Sequence, residues 1–305
     1  MMEKKYRILT EASGSLTSLY IINAIKEIGC IACASDIDSF NAAYNIADEF
    51  ITMPSTKDAK LWEKTKKLLV QSKIDIVIPT LDDSLFGWSC LKEEFKNMGI
   101  NVIVSPKETI KIFTDKWETY LFFKKISIPT PKTEIYKNLG VIKPRNGRGG
   151  AGVEFHSRNY QANNEWSYIT QEKIVGQEYT VDCFFDQNGD PIYIIPRKRI
   201  DVREGKSIKS SVGYHRVIES FIKKIAKEIY FIGPINFQVF ETEKGEIYFI
   251  EVNPRLGGGS SLAFHASENW IKLIVEHFVE NKRIIPKVID FDLKMTRAYL
   301  DVFFK

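Results

Sequence analysis

Ile235-Asn236-Phe237-Gln238-Val239-Phe240 and, after a short turn, Tyr248-Phe249-Ile250-Glu251-Val252-Asn253-Pro254-Arg255 decide how the rest of this chain is read. Each half alternates apolar and polar side chains, the period of a β-strand. Glu243-Lys244-Gly245-Glu246 between them reads as a tight hairpin with Lys244-Gly245 at its tip. That register sets Gln238 opposite Glu251 and Asn236 opposite Asn253, and a spacing of two keeps them on one face. One end of the ribbon then presents an amide, a carboxylate and a second amide. Nearer the turn the same face is expected to be apolar, through Phe240, Phe249 and Ile247. Oxygen ligands grouped this way suit a hard divalent cation such as Mg²⁺, which takes few protein ligands and fills its shell with phosphate and water. Arg255, just beyond, adds a positive fork. An edge hairpin with its polar residues in solvent has the same alternation, so the surrounding segments must decide.

Upstream, Val141-Ile142-Lys143-Pro144 reads as a strand running into Arg145-Asn146-Gly147-Arg148-Gly149-Gly150-Ala151-Gly152. These glycines allow backbone N–H groups to approach phosphate oxygens closely, and Arg148 supplies charge. No Gly-Lys-Ser/Thr follows, so this is not a Walker A loop. Glu178 to Phe185 and Ile192 to Ile200 form a strand pair around Asn188-Gly189, with Glu178 facing Arg199 and Thr180 facing Arg197. The segment from Val217 to Tyr230 is an amphipathic helix burying Ile218, Phe221, Ile222, Ile225 and Ile229. Earlier, Thr114-Asp115-Lys116 opens a helix, and Ile128-Pro129-Thr130-Pro131 breaks the chain. The first hundred residues alternate apolar strands (Tyr6–Leu9, a second that ends at Ala34-Ser35-Asp36, Ile74–Thr80, Ile100–Val104) with helices, a doubly wound parallel α/β domain. Its first loop has only Gly14 and no G-x-G-x-x-G, which argues against a dinucleotide site there.

In order, type and spacing, Asp115-Lys116, Ile142-Lys143-Pro144, the glycine loop, Gln171 to Glu178, Gln238 and Glu251-Val252-Asn253-Pro254-Arg255 resemble the ATP-grasp ligases. The likeness is particularly to the branch near carbamoyl-phosphate synthetase large subunits and amino-acid ligases. The resemblance covers essentially the whole chain. It implies a pre-ATP-grasp α/β domain over 1–105 and an α+β ATP-grasp domain over 106–305, with a small lid near 130–176. It also implies ATP with Mg²⁺, or Mn²⁺, as cofactors. By the same resemblance Lys116, Lys143, Arg148, Gly149 and Gly150 meet phosphates, and Glu172, Lys173 and Ile174 read the adenine edge. Glu178 binds ribose, Gln238, Glu251 and Asn253 hold metal, and Arg255, Asn253 and Lys143 act in catalysis. Arg199 and Lys198 are weaker phosphate candidates, since a solvated strand also explains them. Glu178 has a second account, a cross-strand ion pair with Arg199. His215 and His265 are open, because this chemistry needs no histidine.

The expected activity is a Mg-ATP-dependent carboxylate–amine ligase working through an acyl phosphate, with small-molecule carboxylate and amine substrates. Carboxyphosphate chemistry is disfavoured: where the synthetases have a further arginine, this chain has Leu256-Gly257-Gly258-Gly259-Ser260-Ser261. A catalytically silent nucleotide-binding or partner-binding protein is the rival from another class. The stretches 133–140 and 157–167 are short for the family, which implies a small lid. Thr80, Asp82 and Asp83 end a strand and either face the cleft or cap the next helix.

Composition closes off other classes. At 305 residues with 44% hydrophobic and 27% charged content the chain is an ordinary globular one. A net charge of +4, spread evenly, gives no reason to expect nucleic acid. No apolar stretch has transmembrane length, and the start lacks a signal-peptide core. Cys30 and Cys33 form a lone C-x-x-C at a buried strand without a second pair at zinc spacing, so buried thiols in a reducing cytoplasm are expected. A homodimer through the first domain is a family implication only.

Overall fold

The computed structural model describes residues 5–15, 18–147, 152–155, 167–203, 205–298 and 300–304. The apolar runs near the N-terminus form a parallel sheet because strands covered on both faces need no polar side. Its strands are β1 (Arg7–Thr10), β2 (Ile31–Asp36), β3 (Glu49–Thr52), β4 (Ile76–Ile78) and β5 (Asn101–Val102). They pair parallel in the order β3-β2-β1-β4-β5. Helices α1 (Ser18–Glu27), α2 (Ala43–Ile46), α3 (Leu61–Gln71), α4 (Asp82–Cys90) and α5 (Lys92–Asn97) connect them. The strand order reverses between β1 and β4, where a crevice opens at the carboxyl ends. The run from Ile100 to Val104 yields only two paired residues. Ser105 leaves the sheet to accept the Ile232 N–H at 3.0 Å, and the chain enters α6 (Lys107–Phe113).

Asp115 caps α7 (Lys116–Lys125), accepting from the N–H groups of Trp117 at 2.8 Å and Glu118 at 3.3 Å. A small antiparallel sheet follows from β6 (Thr133–Glu134), β7 (Gly140–Pro144), β8 (Glu154–Phe155) and β9 (Tyr168–Glu172), in the order β6-β9-β7-β8. The larger antiparallel sheet contains β10 (Gln177–Phe185), β11 (Pro191–Arg203), β12 (Lys206–Val212), β13 (Gly233–Glu241), β14 (Ile247–Asn253) and β15 (Lys294–Thr296). Its order is β14-β13-β10-β11-β12-β15. Helix α8 (Arg216–Ala226) buries Ile218, Ile222 and Ile225 against Phe237, Val239 and Phe249. It stops short of Tyr230, whose carbonyl accepts from Thr109 and whose hydroxyl reaches the Gln187 carbonyl. Helices α9 (Ser261–Ala266) and α10 (Trp270–Leu273) and a π-helical turn over Ile274–Val279 pack between the two halves. No helix among the described residues is long and apolar enough to cross a membrane.

The hairpin pairs Asn236 with Asn253 and Gln238 with Glu251, as its alternation requires, and then slips by one residue. Val239 lies opposite Phe249, and Phe240 opposite Tyr248, leaving Ile250 as the extra residue of a β-bulge. The expectation that Phe240, Phe249 and Ile247 continue the polar face is therefore wrong for two of them. Phe249 and Ile247, at 0% and 4% exposure, turn into the core beside Phe237 and Val252. The physical reason is parity. Without the extra residue, Glu251 and Phe249 would share a face, and one of them would be misplaced.

Candidate active site

A cleft of about 660 Å³ lies between the carboxyl ends of β1–β4 and the polar face of β13 and β14. Gln238, Glu251, Asn253 and Arg255 line one wall, and Glu11, Asp36, Thr80 and Asp82 the other. Glu251 and Gln238 are half-buried and Asn253 is buried. Among the described residues no group of three or more His, Cys, Asp and Glu is gathered for a metal. One carboxylate between two amides is instead a donor set for a cation that keeps most of its shell as water and phosphate, so the residues fit Mg²⁺.

From the small sheet, β7 carries Lys143, which stands outside the cleft lining but within electrostatic reach of Glu251. Its Nζ donates to Gln171 Oε1 at 2.8 Å, and Gln171 Nε2 donates to Thr133 Oγ1 at 3.1 Å. Burial pushes the Lys143 ammonium below the usual lysine range, and nearby Glu251 and Glu178 oppose that shift. Lys143, Glu178 and Glu251 therefore share one electrostatic neighbourhood. Lys116 sits at the start of α7, its Nζ donating to the Gly147 carbonyl at 3.1 Å and its N–H to the Arg145 carbonyl at 3.0 Å. Arg145 grips the capping Asp115 through Nε at 3.2 Å and Nη2 at 2.5 Å. The glycine loop is thus anchored at its entry. Arg148, Gly149 and Gly150 lie outside the described residues.

Between the two antiparallel sheets, Glu172 ends β9 with its carboxylate accepting the Lys132 N–H at 2.7 Å. Lys173 is exposed, 5.8 Å from the Phe155 ring centre, and Ile174 is half-buried. Gly176 is pressed onto the end of β13, where a Cβ would stand 2.0 Å from the Glu241 carbonyl oxygen. Only glycine fits that crossing. Glu178 is ion-paired with Arg199, whose Nη2 also donates to the Gly205 carbonyl at 2.7 Å. The cross-strand account of Glu178 is the one this state adopts.

Arg255 is held bidentately by Asp82, Nε to Oδ1 at 2.7 Å and Nη2 to Oδ2 at 2.5 Å. Its Nη1 donates to the Leu256 carbonyl at 3.0 Å, and Nη2 lies 3.3 Å from Asn253 Oδ1. Burial works to lower the guanidinium's pKa, and Asp82 outweighs it, so the net shift is upward. Asp82 therefore does not cap α4; it ties the parallel-sheet domain to the Asn-Pro-Arg segment. His215 caps α8 instead of facing the cleft, and exposed His265 bonds back to the Ser261 carbonyl at 2.8 Å. Neither lines the cleft.

A buried network under the Gly257–Gly259 loop escaped the sequence reading. Arg197 and Asp182, at 2% and 1% exposure, are paired Nε to Oδ2 at 2.5 Å. Asp182 Oδ1 also accepts from Asn236 Nδ2 at 2.8 Å and Ser260 Oγ at 2.6 Å. A Cβ on Gly259 would lie 2.7 Å from Arg197 Nη1, and one on Gly257 2.5 Å from Asn236 Nδ2. The loop glycines therefore allow the backbone to rest directly on this network. A usable signal existed: Asp182 interrupts an apolar strand, and in the hairpin register it shares a face with Arg197.

Comparison with known proteins agrees with this architecture. Residues 113–259 match the model of the ATP-grasp domain, and residues 13–103 that of the PylC-like N-terminal domain. The carbamoyl phosphate synthase large chain of Xylella fastidiosa is 22% identical over 246 residues, which is 68% of this chain but 23% of that protein. This chain thus spans less than a quarter of that relative's length. The tyramine–L-glutamate ligase of Methanocaldococcus fervens is 26% identical over 216 residues, 68% of this chain and 67% of that one. Among solved structures, the biotin carboxylase domain of Hydrogenobacter thermophilus 2-oxoglutarate carboxylase, in complex with MgADP, ADP and bicarbonate, matches with a TM-score of 0.73. Its sequence identity is 18%, over 96% of this chain and 74% of that one. With these two matches in sequence around a shared cleft, the chain carries a PylC-like N-terminal domain followed by an ATP-grasp domain.

Proposed function

We propose that this protein is a Mg-ATP-dependent ligase joining a carboxylate to an amine. The observation that carries this reading is the meeting, in one cleft, of the Gln238–Glu251–Asn253 donor set, Arg255 and the ends of the parallel strands. Lys143 adds a cation from the small sheet. Bound at Glu251, Asn253 and Gln238, Mg²⁺ would neutralise phosphate charge. Lys143 would hold a phosphate oxygen, and Lys116 would support the entry to the glycine loop. A carboxylate oxygen attacks the γ-phosphorus as its bond to ADP breaks, giving an acyl phosphate. The amine then attacks the carbonyl carbon, phosphate leaves, and the amine proton passes to water. Positioning and charge neutralisation supply most of the rate. Arg197, the guanidinium beneath the Gly257–Gly259 loop, is committed to Asp182. This supports an organic carboxylate over bicarbonate.

ADP release with a panel of carboxylates and amines tests the reading. Mg-ATP binding without turnover under any combination would leave a silent nucleotide-binding protein. Arg255→Lys adds a sharper arm, because lysine keeps the charge but loses the planar fork. Turnover should fall at least roughly tenfold while the nucleotide dissociation constant moves only a few-fold, the signature of a transition-state contact. Parallel loss of stability and nucleotide affinity would instead make Arg255 a structural partner of Asp82.

Lys143→Met separates binding from folding. Losing one charge-assisted phosphate contact should weaken Mg-ATP roughly tenfold or more. Because burial depresses this lysine's pKa, the native state binds fewer protons than the unfolded state between the depressed and ordinary values. Its contribution to stability rises with pH through that window and is unfavourable at neutral pH, which lies below the ordinary value. The variant's melting temperature without nucleotide at pH 7 should therefore hold or rise. A lower melting temperature with unchanged Mg-ATP affinity would contradict both roles.

A further inference from the structure

We infer that Gln171 and Thr133 are positioning residues for the phosphate-binding lysine. They hold the Lys143 ammonium in place through a neutral acceptor, so that its charge stays uncompensated until nucleotide arrives. This rests on the reading of Lys143 as a phosphate contact of the ligase.

The cations around the site are held in two ways. Arg145, Arg197, Arg199 and Arg255 are each paired with a carboxylate, Asp115, Asp182, Glu178 and Asp82 respectively. Lys143 has no carboxylate within ion-pair distance among the described residues, and its Nζ donates to Gln171 Oε1 at 2.8 Å. Glu251 on β14 and Glu178 on β10 reach it only through their field, which Lys116 on α7 opposes. A neutral partner fixes a partly buried ammonium and satisfies one of its donors while cancelling none of its charge. A carboxylate in that place would cancel the charge, and a phosphate would then have to displace a competitor of its own sign.

The row of hydrogen bonds behind Lys143 has a fixed direction. Thr133 gives its one hydroxyl proton to the Pro131 carbonyl at 3.0 Å, and a carbonyl can only accept. Thr133 Oγ1 is thereby left to accept from Gln171 Nε2, at 3.1 Å. The amide nitrogen is set toward Thr133 and the amide oxygen toward Lys143; a flipped amide would turn N–H groups against an ammonium. Pro131, Thr133 and Gln171 are all buried, the last two at 1% and 5% exposure. Strand register brings the three side chains of the row together. Thr133 lies directly opposite Gln171 between β6 and β9, and Lys143 lies diagonally from it, opposite Ile169 between β7 and β9. The far end is pinned twice. Lys132 N–H donates to Glu172 Oε1 at 2.7 Å and Glu172 N–H to the Lys132 carbonyl at 2.9 Å. Phe249 N–H donates to the Pro129 carbonyl at 2.8 Å, two residues before Glu251. The proline-broken segment therefore ties the support of Lys143 to the strand that carries Glu251, and so sets the ammonium relative to the metal donors.

The test is calorimetric titration of the full chain with Mg-ATP, beside thermal melts without nucleotide. Gln171→Glu should weaken Mg-ATP by roughly tenfold or more, because the new carboxylate neutralises Lys143 and repels phosphate. Its melting temperature should hold or rise, since the lysine gains a counter-charge. Thr133→Val keeps the size and branching of the side chain but breaks the row, and should weaken Mg-ATP about fivefold. Thr133→Ser restores the hydroxyl and should stay within about twofold of the native chain. In a Lys143→Met background Thr133→Val should cost no more than about twofold further, because the row acts only through the lysine. Native affinity in Gln171→Glu and Thr133→Val, beside a loss in Lys143→Met, would overturn the inference and leave the ligase reading standing. An equal Thr133→Val loss in both backgrounds, or a Thr133→Ser variant as weak as Thr133→Val, would make the row a packing feature and overturn the inference as well. Unchanged affinity in Lys143→Met would withdraw the lysine from the phosphates, and the inference with it.

Discussion

Glu251→Gln is expected to lower ADP release at saturating Mg-ATP by about two orders of magnitude or more, since a catalytic metal supplies several kcal/mol of charge stabilisation. The substitution keeps the shape of β14 and its pairing to Gln238, so the loss would be one of charge. It also removes a carboxylate that favours the charged forms of both Lys143 and Arg255. Stability without nucleotide should therefore fall modestly, by about 1 kcal/mol, the scale of a partly screened pair. Steady-state rates across a Mg²⁺ titration and thermal melts read the two effects separately. Near-normal turnover at saturating Mg-ATP would take Glu251 out of the metal site.

The hairpin pairing was legible because alternation fixes which residues share a face, and Gln238–Glu251 and Asn236–Asn253 follow from it. The bulge at Ile250 was not. Nothing local distinguishes Ile250 from its neighbours, and the slip is imposed by α8, which needs Phe249 and Ile247 on the core side. The parallel sheet was legible from apolar runs between helical segments. The Asp82–Arg255 bond was not, because its partners lie 173 residues apart and no periodicity links them. The cross-strand pair Glu178–Arg199 could be read from the Asn188-Gly189 turn alone. Arg197 was within reach by the same register, but it stands beside Lys198 and Arg199 in a run that resembles a solvated strand. What separates them is depth: Arg197 is buried against Asp182, while Lys198 is exposed. The parallel-sheet side of the cleft was the least legible part. It is assembled from short segments after β1, β2, β3 and β4 that converge only when the sheet forms.

Asp182→Ala should cost about 3–5 kcal/mol of stability, the range for stripping one partner from a buried ion pair. Arg197 would then be buried with the Ser210 hydroxyl, 3.5 Å away, as its remaining described side-chain contact. Asn236 and Ser260 would lose the acceptor that orders both. The charge itself is not what the fold requires. Replacing both members, Asp182→Leu with Arg197→Met, removes two desolvation penalties along with one attraction, and such swaps are often neutral or stabilising. The double variant should therefore recover most of the lost stability in denaturant titration. It should not recover function, because the Gly257–Gly259 backbone rests on Arg197 and Asn236 and would settle differently over an apolar pair. If the double variant were as unstable as Asp182→Ala, the penalty would lie in packing and not in the stranded charge. If it were stable and fully active, the network would not be what positions the loop.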